Sequence, residues 1–194
     1  MGLAASVLLA AITLSCGEEI SGPTTVATGD LLILAMQATA PTVPPSSFFA
    51  YNSRLTTERL LHSDPANTLF MQLNVPARVL SSLNGVPLTL QDSVLLTIQP
   101  TAGIYGFTLS PSGLAFTLGE VPTARVSFAV YGDFTVVDDS PSYESAGQYA
   151  AALQFWFEVT PGRWRPVTSS RLSGTDAVEG PIDEPGIYIV AAPR

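Results

Sequence analysis

The sequence contains a single histidine, His62, and a single cysteine, Cys16, so the residue types that most often carry catalysis are scarce. A zinc site of the usual nitrogen and sulfur type needs several such ligands. A serine-type triad would have to use His62 as its base. Ser63 and Asp64 are its chain neighbours, but no serine lies in the Gly-x-Ser-x-Gly pattern of a nucleophile elbow. We therefore predict that the protein is not an enzyme and that it uses no cofactor.

A cluster of carboxylates lies in the second half of the chain. Asp133, Asp138, Asp139 and Glu144 fall within twelve residues, and hard cations such as calcium take oxygen ligands from loops of this kind. The spacing does not match a calcium-binding loop of the EF-hand type, which also requires a glycine inside the loop. The sequence thus predicts a solvated acidic loop and no metal site, with Asp138, Asp139 and Glu144 as the candidate ligands if a cation binds.

Aromatic residues near a carboxylate form the candidate binding surface. Alternation along their segment places Trp156 and Glu158 together on a face with polar character, and sugars stack on aromatic rings. Aromatic side chains also dominate interface hot spots, so we predict a binding surface made of Trp156, Glu158 and Tyr188. Trp164 is expected to pack in the core. A glycoside hydrolase that uses Glu158 or Asp138 is the remaining catalytic hypothesis, because paired carboxylates perform that reaction.

The composition is that of one folded domain. The chain has 194 residues, of which 46% are hydrophobic and 12% are charged, a balance opposite to that of a disordered chain. Its formal net charge is −8, and all eight basic residues are arginine. Neutralisation of phosphates supplies most non-specific affinity for nucleic acids, so an acidic chain without a basic cluster in its sequence is not expected to bind them.

Short strands separated by turn signals fill most of the chain. Period-2 alternation and short apolar runs are typical of strands in antiparallel sheets. Helical periodicity is limited to residues 56–62, and long loops are expected over 41–47 and 137–148. The pattern predicts an all-β sandwich or barrel over residues 30–194. The predicted strands cover residues 31–36, 69–75, 93–99, 124–131, 153–159, 164–167 and 187–191, with a Pro-Gly turn at 160–163.

The first 15 residues are apolar and uncharged, with the length of a signal-peptide apolar region and too few residues to span a bilayer as a helix. Leu14 and Ser15 precede Cys16, an arrangement that resembles the lipobox of bacterial lipoproteins. In that family the signal is cut before the cysteine, whose thiol is acylated. The resemblance therefore implies a palmitate-type lipid anchor on Cys16 and a location in the cell envelope.

The residues after the cysteine, 16–29, lack a periodic apolar pattern and predict a flexible tether that holds the domain off the membrane. Gly17 stands where many lipoproteins of the inner membrane have Asp, which favours the outer membrane or the cell surface.

Four motifs follow one another in the rest of the chain. They are Leu-Asn-Val-Pro-Ala-Arg-Val-Leu at 73–80, Leu-Ser-Pro-Ser-Gly-Leu-Ala-Phe at 109–116, Thr-Pro-Gly-Arg-Trp-Arg-Pro-Val at 160–167 and Gly-Ile-Tyr-Ile-Val at 186–190. In order and spacing they resemble the ZU-five domain of zonula occludens proteins, ankyrins and netrin receptors, which also has relatives in bacterial envelope proteins. The resemblance covers residues 68–192 and implies an antiparallel β-sandwich. Some members cut themselves at a His-Phe-Ser step, which the matching residues 180–185 do not contain.

Together these features predict a membrane-anchored envelope lipoprotein that acts as a non-catalytic protein-interaction or structural module. The expected partner is another envelope protein. The alternative is a carbohydrate-binding module of the envelope that uses exposed aromatic side chains, with Trp156 at its centre.

Overall fold

The computed structural model describes residues 24–137 and 142–194. Over these ranges the chain consists mostly of antiparallel β-strands, with one short helix, α1 (Ala146–Ala152), and two 3₁₀ turns (Thr28–Asp30 and Thr135–Val137). The predicted all-β class is therefore confirmed. The predicted signal segment and Cys16 lie outside the described residues.

The larger sheet has eight strands, and all its neighbouring strands are antiparallel. Strand β2 (Leu31–Ile33) pairs with the C-terminal part of β18 (Gly186–Pro193), while β10 (Gly106–Ser110) pairs with the N-terminal part of β18. The order across the sheet is β1 (Val26–Ala27), β15 (Arg163–Pro166), β14 (Gln154–Thr160), β18 (Gly186–Pro193), β10 (Gly106–Ser110), β9 (Ser93–Pro100) and β4 (Ser46–Tyr51).

The second sheet has five antiparallel strands, in the order β16 (Arg171–Ser173), β17 (Ala177–Pro181), β12 (Thr123–Ser127), β6 (Leu69–Val75) and β5 (Thr56–Leu61). Two small sheets complete the described fold. They are β11 (Leu114–Phe116), β7 (Leu80–Leu83) and β8 (Val86–Pro87), and the pair β13 (Gly132–Asp133) with β3 (Ala35–Met36).

Period-2 alternation explains why these segments are strands with one buried face. In β9, Val94, Leu96 and Ile98 are buried, while Leu95 between them is half exposed. Strand β6 begins and ends at the predicted residues, and β14 and β15 form the predicted hairpin. Gly162 in its turn has a φ of 75°, a left-handed conformation that glycine adopts without strain.

The buried faces of both large sheets contribute side chains to a single hydrophobic cluster. Phe107 of β10 stacks on Tyr188 of β18 at 5.3 Å between ring centroids and meets Phe155 of β14 edge-on at 6.2 Å. The second sheet adds Phe70 and Val126, among others. A smaller cluster forms around Leu31, Trp156, Trp164, Ile189 and Ala191.

The predicted helix at residues 56–62 is wrong, because this segment is strand β5. It pairs with β6 from Thr56 opposite Val75 to Leu61 opposite Leu69. The sequence Glu-Arg-Leu-Leu has good helix propensity, but tertiary pairing in a sheet overrides such a weak preference.

The expected loop over residues 137–148 contains the start of the helix α1. Ser145 caps it, since its Oγ accepts a hydrogen bond from the Gln148 N–H at 3.3 Å. Tyr149 is fully buried and donates its hydroxyl proton to the Leu32 carbonyl at 3.1 Å. With seven residues the helix is too short to show a clear period, and this tertiary contact stabilises it.

The N-terminal boundary of the folded domain also differs from the prediction. Residues 26–29 were expected in the tether, yet Val26 and Ala27 form β1 opposite Trp164 and Arg163. The Thr28 N–H donates to the Gly162 carbonyl at 3.1 Å. The domain therefore includes residues from Val26 onward, and the part of the predicted tether before residue 24 lies outside the described ranges.

Candidate functional site

The predicted aromatic surface is not exposed. Trp156 retains 4% of its accessible surface, and its indole N–H donates to the Ala191 carbonyl at 3.0 Å. Tyr188 is fully buried and donates to the Glu184 carbonyl at 2.6 Å. Because Tyr188 pairs with Phe157, it lies on the opposite face of the sheet from Trp156. The prediction that these rings form one binding surface is wrong.

The face of Trp156 is covered by residues from the other end of the chain. Leu31 belongs to the same smaller cluster of buried side chains as Trp156 and Trp164. The Trp164 indole N–H donates to Thr28 Oγ1 at 2.8 Å. Glu158 lies on this face as predicted, but its Oε1 accepts the Gly162 N–H at 2.8 Å and thereby holds the hairpin turn. These groups maintain the fold.

The acidic segment is described only in part, since Asp138 and Asp139 lie outside the described residues. Asp133 Oδ1 accepts the Thr135 N–H and hydroxyl at 2.9 and 2.8 Å, and these bonds hold the pKa of Asp133 below its usual value. Within residues 24–137 and 142–194, no three histidine, cysteine or carboxylate side chains lie close enough together to hold a metal ion. Glu144 therefore belongs to no such group. In the same ranges no helix is long and apolar enough to cross a membrane.

The single histidine belongs to a compact polar and aromatic cluster. His62 is buried, with Nδ1 3.0 Å from the Pro41 carbonyl and its ring 4.6 Å from that of Tyr131. Asp64 accepts the Thr68 N–H and the Tyr131 hydroxyl, each at 2.8 Å. The Thr68 bonds are the main reason that the pKa of Asp64 falls to about 2. The cluster ties the segment at Pro41 and the one at Tyr131 to the β5–β6 hairpin.

We expect Asp64→Asn to lower the thermal midpoint near neutral pH and to reduce the acid dependence of stability. The folded pKa of about 2 lies below the ordinary value of 3.8, so the carboxylate stabilises the fold above about pH 4. That contribution is lost as the pH falls through the folded pKa. Thermal melts between pH 2 and pH 7 should therefore show the two proteins converging on the acid side. A constant difference at every pH would contradict this.

A cleft of about 330 Å³ lies beside this cluster, between residues 36–43 and residues 99–103. Its wall includes Pro41, whose carbonyl faces His62, and it is lined by small, amide and apolar side chains without an ionisable group. Such a lining offers no acid, base or charged ligand for chemistry.

The exposed face of the five-stranded sheet is the better candidate. Cross-strand pairing places five long polar side chains side by side in one line, which we name the polar row. The pairs are Arg59 with Gln72, Gln72 with Arg125, Arg125 with Glu179, and Glu179 with Arg171. Arg59, Glu179 and Arg171 are exposed, while Gln72 and Arg125 are half-buried.

Hydrogen bonds hold the middle of the polar row in place. Arg59 Nε donates to Gln72 Oε1 at 2.8 Å. Arg125 Nη1 donates to Ser173 Oγ at 2.9 Å, and the Ser173 hydroxyl donates to Glu179 Oε2 at 3.1 Å. Arg125 also lies 3.9 Å from carboxylate oxygens of Asp176 and Glu179.

The two ends of the polar row are arginines whose charge no described carboxylate offsets. Among the residues that the structure describes, Arg59 and Arg171 take part in no salt bridge. A shallow cleft of about 380 Å³ lies at the Arg171 end, lined by Thr123, Ser169, Arg171, Glu179, Gly180 and Pro181. Three of the eight arginines of a strongly acidic chain thus lie on one face.

Sequence reasoning missed the polar row because its five members come from five different strands of the chain. The alternation of Arg125 with apolar neighbours marked an outward position, but the neighbours across the sheet depend on strand register. The apparent helix at 56–62 hid the outward position of Arg59.

In comparisons with known proteins, no family model, no curated protein and no solved structure matches this chain.

Proposed function

We propose that the protein is an envelope lipoprotein, anchored through Cys16, whose β-sandwich domain is a non-catalytic binding module. Its binding surface is the exposed face of the five-stranded sheet. The observation that carries this proposal is the polar row, which crosses all five strands and ends in two arginines that form no salt bridge with any described residue.

A sandwich of the ZU-five type is supported by the shared cluster of buried side chains from the two large sheets. Strand β6 ends within the first motif of that resemblance, and β10 and β11 flank the turn of the second. The hairpin of β14 and β15 corresponds to the third, and β18 to the last.

A role without catalysis is supported by how the candidate chemical groups are used. His62 faces a backbone carbonyl, Glu158 holds a turn, and Asp64 accepts hydrogen bonds from Thr68 and Tyr131. A net charge of −8 repels anionic lipid surfaces, which suits a domain that works at a distance from its own membrane.

The anchor is tested by the mass of the mature N-terminal peptide from protein extracted from native membranes. We expect this peptide to begin at Cys16 and to carry two or three acyl chains, as the lipobox resemblance implies. A peptide that begins at an unmodified Met1, with a free thiol at Cys16, would contradict the anchor.

The binding face is tested by photo-crosslinking in intact envelopes. A photoreactive residue is placed at Gln72, which lies in the polar row between Arg59 and Arg125. In a matched variant it is placed at Leu95, which is half exposed on the outer face of the larger sheet. We expect the variant with the photoreactive residue at position 72 to form crosslinked products of higher mass than the protein alone. The variant at position 95 should form few or none. Adducts at position 95 alone, or equal yields at both positions, would overturn the choice of face.

A further inference from the structure

The arginines of the polar row are evenly spaced. Arg59 lies on β5, Arg125 on β12 and Arg171 on β16, so each is two strands from the next. Adjacent strands are about 4.8 Å apart, which sets successive arginines about 10 Å apart along a line of about 19 Å. A disaccharide in an extended β-linked polymer has about the length of one such interval.

Between the arginines the face presents groups that suit sugar hydroxyls. A second line, parallel to the polar row, consists of Thr57, Asn74 and Thr123, which pair across β5, β6 and β12. Asn74 Oδ1 accepts hydrogen bonds from the Thr57 hydroxyl at 2.9 Å and from Gln72 Nε2 at 3.1 Å. These bonds fix amide and hydroxyl groups in orientations that can bond a polar ligand without further ordering.

The same face lacks the features of a protein-binding hot spot. Large apolar side chains are exposed at several described positions, including Phe49, Leu95 and Leu118, but none of them belongs to the five strands of this sheet. Hot spots between proteins are usually aromatic and arginine anchors that become fully buried in the more apolar core of the interface. This face presents arginine, amide and hydroxyl groups, and the one carboxylate of the polar row, Glu179, lies 3.9 Å from Arg125. Such a face instead matches a hydroxyl-rich and anionic ligand.

From these observations, and on the basis of the proposed binding face, we infer that the polar row binds an acidic polysaccharide with one carboxylate per disaccharide. Arg59 and Arg171 each pair with a carboxylate of the polymer, two disaccharides apart. The Arg125 guanidinium, which is held by Ser173 and lies 3.9 Å from carboxylate oxygens of Asp176 and Glu179, faces the sugars between them. Guanidinium groups suit this role because their donors match both oxygens of a carboxylate. The whole chain is acidic, so the attraction acts only between the arginines of the polar row and the carboxylates of the polymer. Because salt screens such an attraction, the affinity should fall with added salt.

The test uses the full chain in detergent micelles and a fluorescent hyaluronan octasaccharide, which carries one carboxylate per disaccharide. Its methyl ester, which has the same backbone without the charge, is the control ligand. We expect the acid form to bind and the ester to bind at least about tenfold more weakly. The double substitution Arg59→Gln with Arg171→Gln should weaken binding of the acid form by a similar factor.

A matched control removes the same charge elsewhere. Arg54 lies over the Tyr51 ring at 4.1 Å, outside the sheet, and Arg194 is the last residue. Arg54→Gln with Arg194→Gln should leave the affinity unchanged, and both double variants should melt at the wild-type temperature. An equal loss in both variants would show a non-specific charge effect and overturn the inference.

Two further results would also overturn it: no binding of the octasaccharide, or tighter binding of polyglutamate than of the octasaccharide. The second result would identify an acidic polypeptide as the occupant. In either case, adducts at position 72 in the crosslinking experiment would still support the binding face, whereas their absence would reject the face itself.

Discussion

Truncation of Trp156 to alanine is expected to lower the free energy of unfolding by about 3–5 kcal/mol, the usual cost of deleting a buried tryptophan. The indole is 4% exposed, packs in the smaller cluster with Leu31 and Ile189, and donates to the Ala191 carbonyl. The substitution therefore leaves a cavity and removes the hydrogen bond from the indole to that carbonyl. Urea denaturation of the full chain, followed by circular dichroism, measures the change.

The control for this truncation is Leu118→Ala, because Leu118 is 99% exposed. It should change the free energy of unfolding by less than about 0.5 kcal/mol. If Trp156→Ala behaved like this control and abolished binding of a sugar, the aromatic platform predicted from the sequence would be correct and the described packing would not.

Replacement of Asn52 by alanine is expected to lower the free energy of unfolding by about 3 kcal/mol, because it leaves several buried groups without partners. Asn52 is 4% exposed. Its Nδ2 donates to the carbonyls of Leu80 and Thr89 at 3.0 and 3.1 Å, and its Oδ1 accepts the Leu80 N–H at 3.1 Å. One amide thus joins the end of β4 to the start of β7 and to residue 89.

Asn74→Ala is the matched control, since Asn74 is half-buried and water can replace its bonds. We expect it to cost less than about 1 kcal/mol. A loss of less than 1 kcal/mol for Asn52→Ala in the same denaturation assay would mean that the three bonds of Asn52 contribute little to the fold.

Strand positions could be predicted from the sequence because each strand carries its own pattern. The alternation of Val94, Leu96 and Ile98 requires only that one face of β9 be buried. Strand β5 shows the limit of such local reasoning. Its residues form a strand because they pair with β6, and that neighbour cannot be identified from the segment itself.

The burial of Trp156 illustrates a second limit. Alternation correctly placed Trp156 and Glu158 on one face, but it could not indicate what covers that face. The cover includes Leu31 and Thr28, which lie more than a hundred residues earlier in the chain. A strand that is buried on both faces carries too little alternation to reveal such a cover.

The polar row could not be predicted, because register is a property of pairs of strands. A shift of one residue between β12 and β17 would point Arg125 and Glu179 to opposite faces. Asn52 is a similar case: a Tyr-Asn-Ser sequence after a strand is typical of a solvated turn, and the partners of its amide lie 28 and 37 residues away.

The most direct test of the account is an NMR titration of the arginine Nε–H groups of the full chain with the hyaluronan octasaccharide. The chain has eight arginines and no lysine, so each basic side chain gives one assignable signal. We predict that the signals of Arg59, Arg125 and Arg171 shift together along one binding curve, while those of Arg54 and Arg163 stay in place. Shifts at the latter residues without shifts in the polar row would contradict the proposed binding face.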